Sequence, residues 1–81
     1  MRIDKFLKVS RLIKRRTIAN EACDGGRIAV NGRPVKASYD IKVDDVIEIT
    51  FGNRIVKAKV NAINEYAGKS DAADMYTILG E

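Results

Sequence analysis

The side chains of this sequence that could do chemistry are unevenly placed, with bases crowded near the N-terminus and acids concentrated further on. Ten of the fifteen Lys and Arg residues fall within positions 1–36: Arg2, Lys5, Lys8, Arg11, Lys14, Arg15, Arg16, Arg27, Arg33 and Lys36. Only Asp4, Glu21 and Asp24 oppose them, so that stretch carries a net +7, whereas 37–81 holds five bases and eight acids, a net −3. A chain so polarised presents one positive face, and the commonest partner of such a face is a phosphate backbone.

Catalysis is disfavoured by what is missing from the residue set. The 81 residues include no histidine and one cysteine. They therefore offer neither a nucleophile–base pair nor the spacing of a metal site, and no cofactor or metal is expected. Asp44-Asp45 occupies a turn, where aspartate is favoured for backbone reasons. Gly25-Gly26 follows a helix instead of preceding one, so it stops that helix and does not cradle phosphate. Cys23 lies on an apolar helix face and reads as core.

The bases have a pattern of their own. Arg2, Lys5 and Lys8 recur every three residues and share one side of a helix. Lys14-Arg15-Arg16 stands at the start of a second helix, where the helix dipole is already positive and cations are disfavoured unless an anion meets them. Helix amides and guanidinium groups there converge on one phosphate-binding locus, with Arg15 and Arg16 suited to bidentate contact. Arg11 in the connecting basic stretch, with Arg33 and Lys36 further on, completes the candidate RNA-binding set. Arg16 is assigned to RNA and not to the core. Aromatics are few: Phe6 and Phe51 fit core faces, and Tyr39, Tyr66 and Tyr76 lie in or near loops. Recognition of RNA shape and backbone is therefore expected, with little base readout. Double-stranded DNA is the weaker reading, because no major-groove recognition helix is evident.

The elements that must position these bases are short. Ile3, Phe6 and Leu7 predict a helix over about 4–10, with Asp4 able to cap it. Ile18, Ala19, Ala22 and Cys23 predict a second helix over about 16–24, ended by Gly25-Gly26. Arg27 to Val30 reads as a strand, Asn31-Gly32 as a tight turn, and Pro34-Val35 as extended. Ile47, Ile49 and Phe51 share one strand face. Gly52-Asn53 then joins this strand to an alternating run from Ile55 to Val60, forming an antiparallel hairpin. Residues 64–74 are expected to be polar and mobile, and Met75 to Leu79 to dock back as a strand or helical turn.

The fold class is α+β: a helical hairpin packed on a small, mainly antiparallel sheet. One domain is expected, with RNA binding in 1–63 and a polar loop and docking segment in 64–81. No run approaches a membrane span and no apolar segment follows the N-terminal charges. A cytoplasmic monomer with no membrane partner is expected.

At this point the residues match a known pattern. Arg2-Ile3-Asp4-Lys5-Phe6-Leu7, Arg16-Thr17-Ile18-Ala19, Gly26 to Gly32 and Val43 to Ile47 resemble the S-four RNA-binding domain, the alpha-L (αL) motif. The likeness runs over about 2–51. The stretch Arg2 to Ala22, the Phe51-Gly52 hairpin and Met75 to Leu79 further resemble small stand-alone bacterial proteins of ribosome-associated quality control. That resemblance implies a non-catalytic factor on stalled large ribosomal subunits. It would contact large-subunit rRNA and the P-site peptidyl-tRNA while a partner protein, a nascent-chain tailing factor, extends the chain. It places Arg16 and Ala19 in the Ser/Thr-Arg-x-x-Ala motif, and Arg2 and Lys5 at basic first-helix positions. Arg15 stands where many members have Ser or Thr, and Asp44 where Gly is common. The alternatives are a recycling or assembly factor of the heat-shock protein fifteen type on free large subunits, and a targeting domain of an rRNA-modifying enzyme.

Overall fold

In a computed structural model describing residues 1–65 and 68–80, the basic residues ride on a helical hairpin laid across one face of an antiparallel sheet. Helix α1 runs Ile3–Val9, one residue earlier than its apolar spacing predicts, and buries Ile3, Phe6 and Leu7 completely. Removing each of those side chains from water is worth about 1.5–3 kcal/mol, which holds so short a helix in place where propensity alone would not. Its start is tied down by the Ile3 amide, which donates to the Tyr39 carbonyl at 2.8 Å. At its end Ser10 is buried and Arg11 takes the left-handed φ of 64°, turning the chain toward the second helix.

Helix α2 spans Arg16–Asp24 and buries Ala19, Ala22 and Cys23. It ends at Gly25-Gly26, where Gly26 has φ 79° and the Arg27 amide reaches back to the Ala22 carbonyl at 2.9 Å. Small residues on the buried stripe let α2 lie close to α1 and the sheet.

The strands are β1 (Ile28–Val30), β2 (Arg33–Pro34), β3 (Val46–Phe51), β4 (Arg54–Val60) and β5 (Tyr76–Gly80), in the spatial order β2-β1-β3-β4-β5. Every neighbouring pair is antiparallel, with Ile28 opposite Ile49, Ile49 opposite Val56 and Ala58 opposite Ile78. Ile28, Val30, Ile47, Ile49, Ala58 and Val60 face the helices and are buried. Asn31 and Gly32, at φ 53° and 86°, make the turn that an Asn-Gly pair favours. The Asn31 side chain then clamps the turn to the Asp44-Asp45 corner. Its Oδ1 accepts from the Val46 amide at 3.0 Å, and its Nδ2 donates to Asp45 Oδ1 at 3.1 Å. Asp44 holds φ 75°, the backbone for which glycine is the usual choice and aspartate a tolerated one.

Two expectations need correction. Phe51 and Ile18, placed by their spacing on core faces, are about half exposed, at 46% and 50%. Alternation orients the Phe51 side chain correctly, but the helices do not extend far enough along β3 to cover it. The stretch 64–74, expected to be a polar mobile loop, contains a helical turn α3 (Lys69–Ala72) and a 3-10 turn over Ala73–Met75. Ala72 is buried within it, and Met75, which begins the segment expected to dock back, is buried beside it at the approach to β5. Tyr66 and Ala67 of that stretch lie outside the described residues. Tyr76 opens β5, within the segment expected to dock back as a strand or helical turn. Among the described residues no helix is long and apolar enough to cross a membrane.

Candidate nucleic-acid interface

The centre of the basic face is organised by an acid. Asp4 is 2% exposed and collects five donors. Oδ1 accepts from the Lys5 amide at 2.8 Å, Arg2 Nε at 3.2 Å and Arg16 Nη2 at 3.4 Å. Oδ2 accepts from Arg2 Nη2 at 3.3 Å and Asn20 Nδ2 at 3.3 Å. Burial pushes the Asp4 carboxyl up, but hydrogen bonds from Asn20, Arg2 and Arg16, with the Arg16 charge, hold it below its ordinary value. The group is therefore a fixed anion at neutral pH.

That anion gathers two guanidinium groups without neutralising them. Arg2 and Arg16 are each about half exposed, and one carboxylate between two arginines leaves a net positive charge with N–H donors facing solvent. They border an open depression of about 440 Å³ lined also by Thr17, Asn20 and Glu21. Sequence reasoning places Arg16 with RNA and not with structure; in the fold it serves the Asp4 network as well. Asp4, expected to cap the first turn, does satisfy the Lys5 amide there, and beyond that expectation it gathers Arg2, Arg16 and Asn20. The signal in the sequence was an acid isolated among bases on an otherwise buried helix face.

The other candidate residues divide by location. Lys8, Arg11, Lys14 and Arg15 are exposed and form no ion pair among the described residues. Arg15 is the N-cap of α2 and supplies no side-chain cap bond, so a base stands where a capping hydroxyl would satisfy the helix amides. Lys5 is partly withdrawn, its Nζ lying 3.3 Å from Glu65 Oε1. Arg33 and Lys36 are not brought to the arginine pair's depression. They line a separate cavity of about 740 Å³ with Pro34, Val35 and Tyr39. Lys14 and Arg27 border a third groove, between the helices and the end of β3.

The thiol does not take part in any of this. Cys23 is buried, and burial together with the Asp4 and Asp24 charges pushes its pKa up to about 11, which suppresses the reactive thiolate. No cluster of three or more metal-ligating side chains occurs among the described residues.

Comparison with known proteins shows the family. The S4 domain family model matches residues 1–47, the stretch that holds both helices, the first hairpin and the Asp4 network. The RQC P-site tRNA stabilizing factor of Bacillus subtilis is 54% identical over 81 residues, covering all of this chain and 94% of that protein. The protein of the same name from Streptococcus pneumoniae is likewise 54% identical, over all of this chain and 92% of its own length. Among solved structures, the trimeric heat shock protein 15 of Vibrio cholerae superimposes with a TM-score of 0.88 at 25% identity, over 96% of this chain and 80% of that one.

Proposed function

This chain belongs to the S4 domain family, and from that premise we propose that it is a non-catalytic RNA-binding factor of ribosome-associated quality control. In this reading it holds P-site peptidyl-tRNA and large-subunit rRNA on stalled large subunits while a nascent-chain tailing factor works. The single observation that carries the reading is the Arg2–Asp4–Arg16 arrangement. A buried carboxylate holds two half-exposed guanidinium groups together and leaves them a net positive charge, which suits them to an anion. Lys8, Arg11, Lys14 and Arg15 around it supply further phosphate contacts, while Arg33 and Lys36 form a second, separate contact region. The likeness to relatives named for P-site tRNA stabilisation, over all of this chain and more than nine-tenths of theirs, supports the choice of RNA.

Because phosphate contacts dominate, RNA affinity should depend steeply on salt. If six or so bases engage, binding to rRNA fragments falls by about three orders of magnitude or more between 50 and 200 mM salt. Affinity that is flat across that range refutes the assignment. Likeness to heat shock protein 15 favours a second reading, a recycling or assembly factor on free large subunits. Co-sedimentation separates the two: the first requires large subunits carrying peptidyl-tRNA, and the second requires subunits without it.

A further inference from the structure

The groove between the helical hairpin and the end of β3 is apolar at its base and basic at its rim. Leu12, Ile18, Ile49 and Phe51 line it, Lys14 and Arg27 flank it, and no carboxylate contributes to its wall. Its volume is about 290 Å³, at the small end of ligand-sized cavities. Phe51 and Ile18 leave about half their surfaces in water there, an apolar exposure that the core does not require. The groove borders α2 along Ile18 and Ala22, whereas Arg16, Thr17, Asn20 and Glu21 turn to the arginine pair's depression on another face of the same helix.

We infer that this groove takes one unpaired nucleobase of the bound RNA, stacked on the Phe51 ring and packed against Ile18 and Leu12, with Lys14 and Arg27 on its flanking phosphates. The inference rests on the RNA-binding reading above and adds to it a contact that backbone recognition lacks. An apolar peptide segment could enter such a groove too. A rim with two cations and no acid favours a ligand that carries negative charge beside each flat apolar group, which describes a nucleotide strand. A duplex cannot offer its bases in this way, so the groove gives the protein a means of preferring loops and bulges.

The test uses the full chain, a stem–loop RNA with 2-aminopurine in the loop, and the same stem closed as a blunt duplex. Binding should change the fluorescence of the loop probe in the parent protein. Phe51→Ala should abolish that change and weaken stem–loop binding about five- to 150-fold, the range for one stacked base, with duplex binding altered less than about twofold. Phe51→Leu, which keeps an apolar side chain and guards against loss of folding, should behave like Phe51→Ala. Lys14→Gln should lower the salt slope by about one, whereas Phe51→Ala leaves the slope unchanged. Equal losses on stem–loop and duplex, or no loss on either, overturn the inference. So does a Phe51 variant that binds stem–loop RNA normally but no longer sediments with ribosomes, since that assigns the groove to a protein. Failure of the parent chain to bind either RNA overturns the RNA-binding reading itself, which is a distinguishable result.

Discussion

Replacing Asp4 by asparagine isolates the charge at the centre of the Arg2–Arg16 network while keeping its shape. The oxygen nearest the Lys5 amide accepts the shortest bond of the set, 2.8 Å, so the asparagine oxygen should stay there. The new NH2 group then faces Arg2 Nη2 and Asn20 Nδ2, both donors that lie 3.3 Å from the parent's Oδ2. A lost charge-assisted bond costs about 1.5–3 kcal/mol and a neutral one about 0.5–1.5 kcal/mol. The arginines are about half exposed, so water recovers part of the loss. A net cost of about 2–3 kcal/mol follows, against a total stability of roughly 4–12 kcal/mol for a domain of this size. The melting temperature should fall by about 10–20 °C.

The pH dependence makes that expectation specific. A carboxyl whose folded pKa lies below its unfolded value contributes stability that is complete above the unfolded pKa, near 3.8, and is lost as pH falls through the folded one. Asp40 also titrates low, to about 2, because it accepts hydrogen bonds from the terminal amine and Lys42. It is present in both proteins and cancels in their difference. Urea denaturation followed by circular dichroism should therefore show a parent-to-Asp4→Asn gap that is full near neutral pH and narrows below about pH 4. A gap under about 0.5 kcal/mol at neutral pH, or one that persists undiminished in acid, refutes the role given to Asp4.

The remaining expectations concern single side chains. Arg16→Ala should weaken RNA binding roughly ten- to a hundredfold and, because it also removes a donor from Asp4, cost about 0.5–1 kcal/mol of stability; Arg16→Lys should recover only part of the affinity. Lys57→Ala, exposed on β4, serves as the control and should leave binding within about twofold when both variants are measured by filter binding. Met75→Ala should lose about 2–4 kcal/mol in thermal melts, because the side chain is 1% exposed where the chain docks back before β5.

The parts of this molecule that were legible in its sequence are those governed by local rules. Helix α2 begins at Arg16 and ends at Asp24 as its spacing and the following glycines require, and Gly52 takes φ 60° at the first position of a two-residue hairpin turn. What escaped depends on how far one element reaches over another. Alternation correctly turned Phe51 toward the helices, but only the finite length of α1 and α2 decides whether anything covers it. The same holds for Ile18, at the rim of a stripe whose centre is Ala19, Ala22 and Cys23. The helical turns over Lys69–Met75 were missed because two buried residues, Ala72 and Met75, are too few to impose a visible period. Within the site, charge pattern found the arginines but not their organiser. Asp4 was read as a first-turn cap, which its bond from the Lys5 amide supports, but nothing in one dimension shows that Asn20 and Arg16 return to it as well.

The Asn31–Gly32 corner carries a chemical liability as well as a turn. An asparagine followed by glycine is the pair most open to attack of the next backbone nitrogen on the side-chain amide, which releases ammonia and leaves an aspartate or its isomer. Here both ends of that amide are occupied, by Val46 and Asp45, so reaction in the folded state would have to break those bonds first. Each excursion out of the fold frees it, and the product would set a second carboxylate beside Asp45 in place of a donor. Damage at this corner would thus accumulate with time spent unfolded, giving the chain a built-in record of its own ageing.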